Sequence, residues 1–336
     1  MMRPENRPVD IAELWRMLDL ITPMALRVAA TLRIADLIAE GHTELTELSA
    51  RAGVHSDALS RLLRYLIVRG VFTEPSPNKF ALNDLAALLL DEHPSASRRW
   101  MDLEGFGGRM DLAFFDLLTT VRAGRPPETD DKANLSDAVA ASFDALMESQ
   151  SRAQAPAIVA AYEWAGVSHV VDVGGGTGTL LAELLRTHPR VQGTLLELPS
   201  TAEAGRRLLA ETGLANRCEV VEGDLFEVMP KHAQVYLLKF VLHGIADTDA
   251  VKTLQRCREA GLPDSRIVVI ERTVGPEDDR DQFTSMDMRM LILGHGRERT
   301  LDEYAALGNQ ADLMLGTVTP TTVGVHLIEF RGRNLP

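Results

Sequence analysis

Apolar residues along this chain keep two different rhythms. Up to residue 165 they recur at helical spacing. Ile11, Leu14, Trp15 and Leu18 form one stripe, and Leu26, Ala29, Ala30, Leu32, Ile34, Leu37 and Ile38 form a broader one that stops at Gly41. Such spacing lines one face of a helix. Pro23 suits the opening turn of the second helix, where the N–H it lacks would have no partner. That helix is apolar around more than one stripe and must be buried. So short a domain offers little to bury it, which predicts a dimer interface. Thr46 is expected to cap a short helix through Arg51, and Ser56 with Asp57 a second one through Arg69, ending at Gly70. Val71 to Leu82 reads as a small hairpin with Pro75 and Pro77 at its tip. Residues 91–165 read as helices with one break, at Gly124-Arg125-Pro126-Pro127 and the acidic run Glu128 to Asp131. A long helix then spans Ser136 to Ala161, and a further short one ends at Gly166.

Beyond residue 166 the rhythm changes. Short apolar runs at 169–173, 192–197, 218–221, 234–239 and 266–271 alternate with helical segments. Met314 to Thr319 and Val325 to Phe330 close the chain as an antiparallel pair. This alternation predicts an α/β fold: a doubly wound, mostly parallel seven-stranded sheet with helices on both faces. Three regions follow: a mainly helical part at 1–95, a helical linker at 96–165, and the α/β domain at 166–336. Residues 43–90, two short helices and a hairpin, resemble a winged helix, a unit that often binds DNA.

Charge speaks against that use. The 336 residues carry 35 basic and 48 acidic side chains, a net charge of −13. Phosphate binding needs a basic face, and Arg61, Arg64 and Arg69 on the second short helix are a small footprint. No nucleic-acid partner is expected. Met1 to Asp10 is polar and carries prolines, unlike a secretory leader, and no apolar run reaches about 18 residues. The two cysteines, Cys218 and Cys257, have no metal-ligand spacing and read as buried thiols in a reducing compartment. These features predict a cytoplasmic protein with no membrane contact and no metal.

The chemistry centres on Val170-Val171-Asp172-Val173-Gly174-Gly175-Gly176-Thr177-Gly178-Thr179. A buried strand runs into a turn without side chains and then into a helix, which points its N–H groups and positive dipole end at a ligand. The dinucleotide frame G-x-G-x-x-G fails at its last place, Thr179, and no Lys makes a phosphate loop. An acidic group for ribose hydroxyls is expected at the next strand end, and Glu197 supplies it. After the third strand, Asp224 can accept from an adenine amino group and Phe226 can stack on its ring. After the fourth comes Leu238-Lys239-Phe240-Val241-Leu242-His243-Gly244. His243 stands at the same carboxyl edge and is suited to accept a proton near neutral pH. Lys239 can pair with a ligand carboxylate or merely cap its strand. Glu271 ends the fifth strand and Glu298 lies in Gly296-Arg297-Glu298-Arg299-Thr300. A carboxylate on one imidazole nitrogen fixes the tautomer and leaves the other nitrogen as base. The plainer reading of Glu298 is a surface ion pair with a flanking arginine.

Asp172-x-Gly174-x-Gly176-x-Gly178 is similar to motif I of the S-adenosylmethionine (SAM)-dependent methyltransferases. With Glu222 to Phe226, Leu238 to His243, Asp287-Met288-Arg289-Met290 and Gly296 to Thr300, the chain resembles the class I small-molecule O-methyltransferases over nearly its whole length. The branch is that of plant caffeate and flavonoid enzymes and of bacterial enzymes that tailor aromatic polyketides. The resemblance implies SAM as methyl donor and S-adenosylhomocysteine as product, His243 as catalytic base, and Glu271 and Glu298 as its supports. It implies donor contacts at Asp172, Gly174, Gly176, Glu197, Leu198, Gly223, Asp224, Leu225, Phe226, Lys239 and Phe240. Phe143, Met147, Asp287 and Met290 would border an aromatic acceptor, and the winged-helix region would serve homodimerisation. Three places depart from the family. Gly244-Ile245 replaces Asp-Trp after the histidine, Ala311-Asp312-Leu313 replaces Ala-Gly-Phe, and Gly294-His295-Gly296 replaces the loop before Glu-Arg-Thr, which would turn His295 toward the acceptor. The expected reaction is methyl transfer to an aromatic hydroxyl in polyketide-type natural-product biosynthesis. The alternatives are hydroxylation or C- or N-methylation on the same scaffold, or a SAM-sensing DNA-binding regulator.

Overall fold

The computed structural model describes residues 10–127, 137–273 and 280–333. Residues 1–9, the acidic run Glu128–Asp131, the helix start at Ser136 and the final Pro336 lie outside the described residues. The chain divides into two compact units, 1–109 and 110–336.

The first unit is a helical cluster with a hairpin. Helices Ile11–Met17, Ile21–Thr31, Ile34–Ala39, Leu45–Ala52 and Ser56–Val68 precede strands β1 (Thr73–Ser76) and β2 (Lys79–Ala81), which pair antiparallel. Three expectations are corrected here. The helix read from Pro23 to Gly41 is two helices, because Arg33 takes a left-handed φ of 52° between them. Thr46 and Ser56 are not caps: Glu44 and His55 hold those positions in extended backbone, and neither makes a side-chain cap. The broad apolar stripe finds its cover inside its own unit. Ala25, Ala29, Ile34, Ala35 and Ile38 pack against Leu48, Leu59, Leu63, Leu66, Phe72 and Phe80. A run of exposed apolar residues lies earlier, at Ile11, Leu14, Trp15, Met17, Leu18, Leu20 and Ile21, and Val68, Leu85 and Leu88 are exposed as well.

The second unit is a sheet of order β5-β4-β3-β6-β7-β9-β8. Its strands are β3 (His169–Val173), β4 (Gln192–Glu197), β5 (Cys218–Glu222), β6 (Val235–Lys239), β7 (Arg266–Glu271), β8 (Leu313–Pro320) and β9 (His326–Gly332). β5 to β7 run parallel through β4, β3 and β6, while β9 pairs antiparallel with both β7 and β8. Two apolar cores cover its faces. One holds Leu180, Leu181, Leu184, Leu195, Leu237 and Val268; the other holds Val171, Leu196, Tyr236, Leu254, Ile267 and Phe330. The strand order reverses beside β3, which carries the glycine turn, and ligands of open α/β sheets bind in that crevice. The long helix is Asp137–Ala160; no separate helix follows it before β3, only turns. Cys218 and Cys257 are both buried and unbridged. Among the described residues no helix is long and apolar enough to cross a membrane.

One close approach fixes how the Leu301–Gln310 helix sits on β9. A Cβ at Gly308 would lie 2.5 Å from Cε1 of the fully buried Phe330 ring. Gly308→Ala should therefore lower stability by about 1–3 kcal/mol, the usual cost of overpacking, although alanine favours a helix by about 1 kcal/mol over glycine. Urea unfolding measures the net sign.

Candidate active site

The parallel strands deliver their chemistry to one edge because each ends there. β3 ends in the glycine turn, where Gly174, Gly176 and Gly178 take φ of 63°, 61° and 77°. An L side chain rarely adopts that region. A Cβ on Gly175 would lie 2.4 Å from Oδ2 of Asp172, so the aspartate is tucked beneath the turn. β4 ends in Glu197. Its Oε1 accepts from Gly176 N at 3.1 Å and its Oε2 from Leu198 N at 2.5 Å, so this carboxylate braces the turn as well as facing the edge. After β5, Gly223 N donates to Glu197 O at 2.9 Å. Asp224 Oδ1 accepts from Phe226 N at 2.8 Å, which folds the chain through Leu225 and leaves the Phe226 ring exposed.

Lys239 ends β6 and donates from Nζ to Ser151 Oγ at 3.0 Å, reaching the long helix. Burial drives its pKa down to about 8, against the pull of Asp172 and Glu271. Burial likewise drives Asp172 up to about 7. Neither Asp172 oxygen has a hydrogen-bond partner among the described residues.

Phe240 then turns the chain with a left-handed φ of 53°. That is a costly conformation for a bulky side chain, and such strain gathers at functional sites. The turn throws Leu242–Gly244 into a short 3-10 segment that carries His243. His243 Nδ1 lies 2.7 Å from Glu298 Oε1 and 3.9 Å from Glu271 Oε2. Its backbone N also donates to Glu271 Oε1 at 3.2 Å. A carboxylate only accepts, so Nδ1 carries the proton and Nε2 keeps a lone pair in the neutral ring. Burial pushes the imidazole pKa down, but Glu271 and Glu298 outweigh it and the net direction is up. Glu271 is itself raised to about 7, first by its complete burial.

Glu298 is almost wholly buried, which rules out the surface ion pair. Arg297 pairs instead with Glu303 at 2.5 Å, and Arg299 with Asp247 at 2.7 Å. Asp287, expected at the acceptor, accepts from Glu298 N at 2.9 Å. Phe143 stands partly exposed on the long helix, Met147 is half-buried, and Met290 is buried. His295 is exposed to solvent. Ile245, in the place of the family's tryptophan, packs on the second core and offers its carbonyl to Arg299.

Two features escaped the sequence. Ser151 reaches the edge from a helix far away in the chain. Arg299 is fully buried, and its guanidinium donates to Leu242 O at 2.5 Å and Ile245 O at 2.9 Å, on either side of His243. Arg297 N adds a bond to His243 O at 2.8 Å. The four residues Gly296 to Arg299 thus hold the histidine by ring and by backbone. The only signal was an arginine beside Glu298, a pairing that sequence reads as superficial.

The described residues fit SAM. An acid with no hydrogen-bond partner among the described residues and a half-buried lysine offer complements to the amino group and carboxylate of that donor, and a turn without side chains lets it approach closely. Open space lies beside Gly176, where a Cβ would meet nothing within 4 Å.

Comparison with known proteins agrees. The profile of an O-methyltransferase domain matches residues 129–313, and that of an O-methyltransferase dimerisation domain matches residues 15–92. The 2,7-dihydroxy-5-methyl-1-naphthoate 7-O-methyltransferase of Streptomyces carzinostaticus is 42% identical over 93% of this chain and 95% of its own. Aclacinomycin 10-hydroxylase RdmB of Streptomyces purpurascens is also 42% identical, over 94% of this chain and 87% of its own. The solved structure of NcsB1, an O-methyltransferase from neocarzinostatin biosynthesis in complex with SAM and 2-hydroxy-5-methyl naphthoic acid, superimposes with a TM-score of 0.87 at 39% identity, covering 95% of this chain and 98% of that one.

The raised imidazole pKa carries a sign. A folded-state value above histidine's ordinary 6.5 stabilises the fold fully below 6.5 and loses that contribution as pH rises through the folded value. Glu298→Gln removes the hydrogen-bonded carboxylate and leaves Glu271 alone to oppose burial and Arg272. Histidine NMR titration should find His243 above 6.5 in the wild type and lower in the variant.

Proposed function

We propose that this chain, which belongs to the S-adenosylmethionine-dependent O-methyltransferase family, uses His243 as the general base that readies an aromatic hydroxyl for methylation. The observation that carries this reading is the His243 Nδ1 contact with Glu298 at 2.7 Å. It commits the ring's proton to the buried carboxylate and leaves Nε2 to accept another.

SAM, when bound, supplies an electrophilic methyl group. Gly174, Gly176, Asp172, Glu197 and Lys239 would hold it, with Leu198, Gly223 and Asp224 to Phe226 along its nucleoside side. The protein's own task is then alignment and proton removal. A phenol has a pKa of about 10, as tyrosine does, and is a poor nucleophile until its proton leaves. Nε2 takes that proton. Glu298 and Glu271 stabilise the imidazolium that forms, and Arg299 keeps the turn from shifting as its charge changes. Phe143, Met147 and Met290 supply an apolar wall, and methionine adapts to flat, irregular ligands. The acceptor class follows from that wall and from the naphthoate named for the Streptomyces carzinostaticus relative: a hydroxylated aromatic of natural-product type. The hydroxylase relative shows that kinship by itself does not choose the chemistry; the paired carboxylates on His243 favour proton abstraction from oxygen. Of the three regions proposed from sequence, 1–95 would serve dimerisation, 96–165 the acceptor wall and 166–336 the donor.

Two outcomes test this. His243→Ala should reduce turnover by roughly 10²- to 10⁴-fold, the usual worth of a general base, while calorimetry finds SAM binding unchanged. Near-normal turnover would remove His243 from the role. Light scattering should give twice the 36.9 kDa chain mass, because a second copy would cover Ile11 to Ile21; a monomer would refute the homodimer.

A further inference from the structure

Among the described residues, Arg272 is a cation without a matching anion. It follows Glu271 at the end of β7 and is half-buried. Its guanidinium carbon lies 5.4 Å from the centre of the Phe240 ring. The Phe240 ring in turn faces the His243 ring, with centroids 5.3 Å apart and planes tilted by 36°. Lys239 Nζ stands 4.6 Å from the same Phe240 centroid. Among the described residues, Arg272 has no carboxylate partner and no hydrogen bond, unlike Arg289, Arg297 and Arg299. Lys239 is already answered by Ser151 and by the field of Asp172. Arg272 is not answered, and its charge opposes protonation of both Lys239 and His243, adding to the effect of burial. A partly desolvated guanidinium is costly to leave alone.

We propose that Arg272 is the subsite for a carboxylate on the aromatic acceptor, so that the preferred substrate class is hydroxylated aromatic acids rather than neutral phenols. The inference rests on the methyl-transfer reading and narrows it. Strand order decides the side on which the anion lies. The glycine turn ends β3, His243 follows β6, and Arg272 ends β7 on the far side of β6 from β3. The carboxylate of the donor belongs beside the glycine turn, where Lys239 and Asp172 meet. Arg272 follows the neighbouring strand, one step further from the glycine turn than Lys239. A flat ring lying along Phe240 would put a hydroxyl at His243 and a neighbouring carboxylate at the guanidinium. Arginine's planar fork suits a carboxylate through two parallel bonds, which a lysine would not give.

The probes are 3-hydroxy-2-naphthoic acid and 2-naphthol, which differ by the carboxylate alone. Affinity is read by calorimetry at pH 8 on full-length protein saturated with S-adenosylhomocysteine, and turnover is read in parallel with SAM. The wild type should bind the acid about 10- to 100-fold more tightly than the naphthol, the range expected for a charged hydrogen bond. Arg272→Gln should abolish that preference while changing naphthol affinity by less than about twofold, and Arg272→Lys should restore it only in part. Equal losses for acid and naphthol would overturn the subsite. Weakened SAM binding with an unchanged acid preference would overturn it as well, assigning Arg272 to the donor's carboxylate. Binding that follows this pattern without turnover would leave the subsite standing and sink the methyl-transfer reading instead.

Discussion

The bond between Glu298 and the His243 ring is the constraint on which the rest of the site depends. Glu298 is buried while the His243 side chain keeps 15% of its surface exposed, and a buried carboxylate is tolerable only when something answers its charge. The Glu298 carboxylate is answered by the imidazole, while its backbone N–H donates to Asp287 Oδ1 and fixes the segment that carries it. Breaking the contact would leave an isolated charge in a dry place. The same contact decides which ring nitrogen holds a proton, and therefore which one can take another.

Around that pair the protein builds stiffness out of backbone. Gly296 is pressed so closely on the histidine turn that a Cβ there would lie 2.3 Å from His243 O. Arg299 bridges two carbonyls of the turn and closes on Asp247. Phe240 accepts a left-handed backbone to aim the turn at the edge. Each of these features reduces the number of places where the imidazole can be, which is what alignment in a displacement reaction requires.

The donor side works on a different principle. Asp172, Lys239 and Glu197 all carry burial-perturbed acidities, and their mutual distances are set by strand ends rather than by ion pairs. Groups held this way are poised for a ligand with both charges. In the first unit the logic is plain packing. Its helices bury their small residues against one another, and the exposed apolar run Ile11 to Ile21 is left for a second copy under the proposed homodimer.

Much of this was legible in the residues alone. Strand periodicity located β3, β4, β6 and β7 to within a residue, because a strand buried on both faces is a short apolar run bounded by turns, a local property. The glycine run, Glu197, His243, Glu271 and Glu298 were legible for the same reason: each ends a strand or sits in a short motif. Helix caps and the break at Arg33 were not, since a cap depends on backbone geometry and not on the presence of a hydroxyl. Nor was the cover of the broad apolar stripe, because what buries a helix face is chosen by the other helices. The Arg299 clamp, the reach of Ser151 and the unanswered charge of Arg272 were decided by tertiary structure alone. Each depends on residues distant in the chain meeting at one edge, and only the order of strands in the sheet brings them there.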